Sequence, residues 1–528
     1  MGEAKRKREM SLKEVAQAIG VETMKGRIQV KWDTSSSATP FGQMAFFIEF
    51  LKLTGLYERW IEDCPLRYAG PNGSPTADIL GTWFLSILSG HRRYAHITTL
   101  RADGVLPELL GMNRIVSEDT VRRALKAIED ESARAWCGKH LEASVWPLLS
   151  APWIMDIDVT VKPLFGHQEC AEIGYNPTKP GRPSHTYHSF LMAGLRLVLD
   201  VNVAAGNQSQ ANTTLPGLIE LLERMPADKR PRCVRGDCGF GQDATMRALE
   251  DRQIPYLFKL KLSKNVKRYL EQIFWSEGWE GAGQGWEGRE GRIKLTGWQT
   301  ERRIIALRRP LIGDVLLCAE AQQLELAFVE SDRPARRYEY AVLVTDLPYD
   351  VCALAQLYRD RADAENVFDE LKNQWGWGGY MTHDIKRCRL TAEAVALIYN
   401  WWSLFVRLAN PDARLEAITS RPFLLSGVAR KTEHAGQQHL KITPLHGKNK
   451  KAREMLTRVS ALLQEWKKTA EQFDPQAVWH RVCRTIVTAF TGIDWLAPRQ
   501  NVTLIPAGIG YSPDLGFRTY AKSCCFRK

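Results

Sequence analysis

The chain has 528 residues, 44% hydrophobic and 25% charged, with a formal net charge of +12. That length exceeds one typical core and suggests about three domains, and the composition excludes a disordered chain. The positive surplus argues for a polyanionic partner, because each Lys or Arg set on a phosphate releases condensed counterions.

The 11 cysteines are scattered. None forms a CxxC pair and no His follows at zinc-finger spacing, which argues against a zinc module or a disulfide framework. The opening MGEAKRKREM lacks an apolar core. No stretch holds the roughly 18–20 apolar residues that a membrane span needs. A cytoplasmic protein with reduced thiols is expected.

Residues 1–40 are basic, then rich in Ser and Thr, and read as a flexible arm. Residues 41–150 read as a helical DNA-binding domain, with apolar residues at three- and four-residue spacing in Ala77–Leu88 and Thr120–Ala127. Ser117 ahead of Glu118 and Asp119 suggests an N-cap, and Arg122 and Arg123 on that short helix face either DNA or solvent.

At Trp153 the period changes to two. Trp153, Met155, Ile157, Val159 and Val161 share one strand face; Ile154, Asp156, Asp158 and Thr160 share the other. His188 to Val203 reads as a second strand. A helix near Leu215–Met225, a strand at Arg232–Arg235, a helix at Ala244–Asp251 and a strand at Tyr256–Leu262 follow. This alternation defines an α/β core over 151–262. Residues 263–340, with several Trp and many Gly, read as a mostly β insertion. The core resumes over 341–410 with a strand at Tyr340–Thr345, one long helix from Val351 to Trp375, and another at Leu390–Leu408. Residues 411–528 form a basic mixed or helical region, in which Lys448, Lys450, Lys451 and Arg453 are candidates for DNA or partner contacts.

The chemistry gathers in LYRDRADAENVFDELK. On one continuous helix, at about 100° per residue, Tyr358, Arg361, Glu365 and Lys372 project at roughly 0°, 300°, 340° and 320°. They form a polar stripe beside the apolar Leu357, Ala364, Phe368 and Leu371. Glu365 can hold a metal, while Arg361, Lys372 and Tyr358 can grip phosphate oxygens. The plain alternative is a solvated helix with an Arg361–Glu365 ion pair.

Asp156 and Asp158 add two acids to a strand whose other face is apolar. Buried carboxylates demand a cation. Asp237, in CVRGDCGFG, follows a strand and precedes glycines, where sites of open α/β sheets gather. Oxygen ligands without His or Cys favour Mg²⁺. Two such ions support in-line displacement at phosphorus. A glycosidase with paired carboxylates is the competing reading, but it leaves the basic surplus unused.

At these residues the sequence resembles a known group. Y-x2-R-x3-E-x6-K, matched by Tyr358, Arg361, Glu365 and Lys372, is the signature of insertion-sequence DDE transposases. The segment Asp156–His185, GDCGF at Gly236–Phe240 and LRAD at Leu100–Asp103 resemble insertion-sequence family 1380. The resemblance implies an RNase H-like core interrupted by a β insertion. It implies Asp158, Asp237 and Glu365 as catalytic metal ligands, with Asp156 as second choice for the first acid. It also implies two Mg²⁺, for which Mn²⁺ can substitute, terminal inverted repeats and target DNA as substrates, and a homodimer in the synaptic complex. In this group an insertion-domain Trp stacks on a flipped base, and Trp298 is the candidate. A transposase-derived protein that binds DNA without cutting is the alternative. Tyr175, Asn176, Lys179 and Arg182, in a Gly/Pro-rich loop after the first strand, form either a DNA-contacting loop or a solvated turn. His167, His185 and His188 do not follow metal-site spacing.

Overall fold

The computed structural model describes residues 18–33, 37–67, 73–150, 152–176, 179–311, 338–443, 447–469 and 473–491. Residues 1–17 of the expected arm lie outside the described residues. Further along that arm the chain is not a flexible lead-in but an exposed hairpin of β1 (Ile19–Thr23) and β2 (Gly26–Val30). Gly26 at φ 113° makes the turn, and the Thr23 hydroxyl donates to its carbonyl at 2.6 Å. A two-residue β3 (Ala38–Thr39) follows.

The next segment is helical, as its periodicity predicts. Thr76–Leu88 is apolar nearly all round and therefore buried within its neighbours. Ser117 caps Glu118–Ala127 by accepting from the Thr120 amide.

Among the described residues the core is one ten-stranded sheet. Its members are β4 (Ile154–Pro163), β5 (Glu172–Ile173), β6 (Pro183–Met192), β7 (Leu197–Ala205), β8 (Cys233–Gly236), β9 (Tyr256–Lys259), β10 (Glu280–Gly281), β11 (Glu287–Ile293), β12 (Arg302–Pro310) and β13 (Tyr338–Thr345). The order is β10-β11-β12-β13-β9-β8-β4-β6-β5, with β7 also on β6. Only β4–β8 and β8–β9 are parallel. The run expected as one strand from His188 to Val203 is two antiparallel strands, because Gly194 (φ 76°) and Arg196 (φ 55°) turn the chain between them. The stretch read as a β insertion opens with a helix, Lys264–Ile273. Its strands lengthen the core sheet, β12 pairing with β13 and β13 with β9.

Helix Ile385–Ala409 is buried along most of its length. It packs on β7 and on helix Asp130–Val145. Asn400, fully buried, accepts from the Val198 amide (2.9 Å) and donates to the Val198 carbonyl (2.7 Å), as a neighbouring strand would. Trp60, Phe47 and Phe50 of the N-terminal helices meet Trp401, Trp402 and Phe405 of the same helix. Beyond it, β14 (Ala429–His434) and β15 (Gln437–Ile442) form a small sheet with β3. Among the described residues every cysteine is free, and no helix is long and apolar enough to cross a membrane.

The long helix expected from Val351 to Trp375 is two helices, Val351–Arg359 and Ala362–Gln374. An unbroken helix would bond the Arg361 amide to the Leu357 carbonyl. Here that carbonyl accepts from the Arg235 guanidinium, and the Arg361 amide bonds to Tyr358 instead, at 3.0 Å. Arg235 is held in turn by Asp156 through two bonds, Nε–Oδ1 at 2.7 Å and Nη2–Oδ2 at 2.9 Å. Their side chains are 2% and 1% exposed. Removing one partner of such a pair leaves an uncompensated buried charge, which costs roughly 3–5 kcal/mol. Asp156→Asn should lower the unfolding free energy by about that amount, measured by urea denaturation.

Candidate active site

Three elements converge at one end of the parallel strands. β8 pairs with β4 up to Ile157 opposite Gly236. Asp158, within β4, and Asp237, the first residue after β8, follow that last pair, and the two charges act on each other. A Cβ on Gly236 would lie 2.7 Å from the Phe240 ring and 3.1 Å from Ile157, so glycine is required for the chain to turn there. Gly239 then donates its amide to Asp237 Oδ1 at 3.0 Å, fixing that carboxylate.

Arg361, at the start of the second helix, supplies the cation. Its Nη2 lies 2.5 Å from Asp158 Oδ2 and its Nη1 lies 3.6 Å from Glu365 Oε1. The Arg361 side chain is 7% exposed and its Nε is buried without a partner. One guanidinium therefore bridges the first and third acids. Burial pushes the Asp158 carboxyl up to about 7; Arg361 opposes this, while the negative charges of Asp237 and Glu365 add to it. Burial also pushes the Tyr358 phenol up, with Arg361 opposing and Asp237, Cys238 and Asp158 contributing. Lys372 is half-buried, and its ammonium is pushed down by burial against the attraction of Asp158. Tyr358, Arg361 and Lys372 thus all share the electrostatic surroundings of Asp158, although Tyr358 belongs to the preceding helix.

The second-choice acid, Asp156, is spent on Arg235 and faces no open space. Sequence reasoning missed Arg235. The signal was present: a charged side chain inside a short buried strand, beside a strand that carries two acids on one face. Glu365 is the outlying member, its side chain 71% exposed. Among the described residues no three Asp, Glu, His or Cys side chains stand together closely enough to hold an ion. The donor set nevertheless suits a hard cation: it is all oxygen, and a guanidinium already rests between two of its members.

Trp298 is not placed for base stacking. It is 8% exposed and packed in the main core. Arg302, 5.2 Å from its ring centre, covers it while bonding Asp243 and Glu250. His188 lies between Thr186 and Thr214, and His185 bonds the Glu169 carbonyl. Both are buried hydrogen-bonded residues of β6. Asp103 of the LRAD segment accepts from the Val105 and Leu106 amides and pairs with Thr39, a local turn role. Helix Asn449–Trp466 buries Met455, Val459 and Leu463 and turns Lys450, Lys451 and Arg453 to solvent.

Residues 73–464 match the family described as Transposase DDE domain group 1. The match spans well over half of the chain, and the chain belongs to that family. No curated protein matches it. A cryo-EM structure of the piggyBac transposase synaptic complex with hairpin DNA is similar at a TM-score of 0.35 and 10% identity, over 83% of this chain and 85% of that one.

The raised Asp158 pKa has a stability consequence. Between about pH 5 and 7 the folded chain holds a proton at Asp158 that the unfolded chain, with a normal carboxyl near 4, has lost. Stability from this site is therefore full below about pH 4 and is lost as pH rises through about 7. In urea melts without metal, the wild type should lose stability relative to Asp158→Asn across that window, by at most about 1.4 kcal/mol per pH unit.

Proposed function

We propose that the chain is an insertion-sequence DNA transposase that binds terminal inverted repeats, cuts DNA and joins it to a target. In this reading its α/β core is RNase H-like. Three antiparallel strands (β7, β6, β4) continue through two parallel ones (β8, β9), with the site at the carboxyl end of β8. Asp158, Asp237 and Glu365 are the catalytic acids and hold two Mg²⁺, or Mn²⁺. The observation that carries the reading is the Arg361 guanidinium lodged between Asp158 and Glu365, beside Asp237. A cation already rests between two of the proposed acids, Asp158 and Glu365.

When bound, two such ions activate the attacking oxygen and stabilise the leaving one. The protein's own groups do the rest. Burial around Asp158 strengthens every charge interaction there. Arg361 and Lys372 supply fixed positive charge for phosphate oxygens, and Tyr358 donates a hydrogen bond from a phenol that burial keeps protonated. Two ends must be cut in concert, so a homodimer is proposed, each subunit acting within one synaptic complex. The net charge of +12 supports a DNA substrate.

A second reading, a transposase-derived protein that binds DNA without cutting, draws on the outward position of Glu365. One experiment separates the two. DNA carrying the repeats that flank the gene is incubated with the full chain in Mg²⁺, in Mn²⁺ and in chelator. Metal-dependent nicking and strand transfer are expected. Asp158→Asn, Asp237→Asn and Glu365→Gln should each lower them by roughly three orders of magnitude or more while end binding persists. Binding with no cut in either metal establishes the second reading, and cutting that survives all three changes rejects these acids.

A further inference from the structure

We propose that residues 164–176 and 179–182 form a DNA-binding platform, with Phe165 stacking on an unpaired base and Lys179 and Arg182 contacting two phosphates. It rests on the transposase reading, which by itself assigns this loop nothing.

β8 ends opposite Ile157, but the pairing of β4 with β6 runs on to Pro163. The sheet of β4 and β6, flanked on the far side of β6 by β7 and β5, therefore runs on past the carboxyl end of β8, where Asp237 lies, and the loop follows the end of β4. From Asp158 to Pro163 the strand advances about 17 Å, the rise of about five base pairs of duplex.

Phe165 is 60% exposed, an unusual place for a large apolar ring. Lys179 Nζ lies 4.6 Å and Arg182 Cζ 4.8 Å from its centre. Among the described residues no carboxylate pairs with either cation. The arginines of the outer strands differ: Arg303 pairs with Glu290, Arg308 with Glu287 and Arg309 with Glu339. Their charge is spent inside the protein, whereas that of Lys179 and Arg182 is available to an anion. Tyr175, 75% exposed, adds a second ring.

The loop is also anchored. Leu164 donates to the Pro183 carbonyl at its base (2.9 Å). The Glu169 amide donates to the His383 carbonyl (2.8 Å), and Glu169 Oε2 accepts from the Ile385 amide (3.1 Å). Asn176, 5% exposed, accepts from the Lys179 amide at 3.0 Å, while its Nδ2 is buried without a partner. Aromatic rings with unpaired cations on a positioned loop suit an unstacked base and its flanking phosphates.

The test uses the full chain and two fluorescent probes of arbitrary sequence, a blunt duplex and the same duplex with a single-stranded extension. Phe165→Ala should weaken binding of the extended probe about tenfold and leave the blunt one nearly unchanged, with Phe165→Tyr restoring it. The double change Lys179→Ala/Arg182→Ala should weaken both probes and lower the slope of log affinity against log salt by about two. Unchanged thermal melts confirm that each variant is folded. The platform is overturned if folded variants bind both probes with the parent's affinity and slope. Metal-dependent nicking by the parent is scored separately. A parent that nicks while the variants bind normally rejects only the platform; a parent whose extended-probe binding needs Phe165 but which never nicks rejects only the catalytic reading.

Discussion

Everything at the site depends on one buried guanidinium. Arg235 joins three elements: two bonds to Asp156 on β4, its own place on β8, and one bond to the Leu357 carbonyl at the end of a helix. Two charges have been withdrawn from water, which is costly unless geometry and hydrogen bonding are nearly complete. The return is specificity of arrangement. The pair fixes the alignment of β4 with β8, hence Asp158 beside Asp237. By taking a carbonyl from the helix ladder it also ends that helix one turn before Glu365.

The helix break decides where the charges lie. It places Arg361 at the start of a new helix, where its side chain reaches back to Asp158 while Glu365 stands one turn further on. Arg361 then lies between a buried acid, Asp158, and an exposed one, Glu365, while Asp237 and Lys372 share the electrostatic surroundings of Asp158. Burial alone would favour a neutral Asp158; the neighbouring acids reinforce that and Arg361 opposes it. A site of this composition is balanced so that a change in bound cation or phosphate alters every member.

Much of this was legible in the sequence. The switch to period two at Trp153, the Gly-flanked Asp237 and the Tyr-Arg-Glu-Lys spacing mark the elements that meet. Asp158 was separable from Asp156 only by resemblance; in the structure Asp156 is locked between two elements by Arg235, whereas Asp158 pairs with Arg361 at the edge of the site. The helix break was not legible, because the apolar period runs unbroken through Arg361 and the interruption comes from a residue more than a hundred positions earlier. The turn at Gly194 was hidden in the same way by the apolar residues on both sides. Trp298 shows the limit of reasoning from residue type: a tryptophan in a Gly-rich stretch marks a ring, but burial depends on which neighbour covers it, here Arg302.

The Asn400 clasp carries a different lesson. The helix that bears it is enclosed by β7 on one side and by aromatic side chains of the N-terminal helices on another. A fragment trimmed to the sheet and its last helices would leave those aromatic contacts open to water. The helical segment and the sheet are therefore parts of one packed core, held together by the helix between them, and not modules joined by a tether.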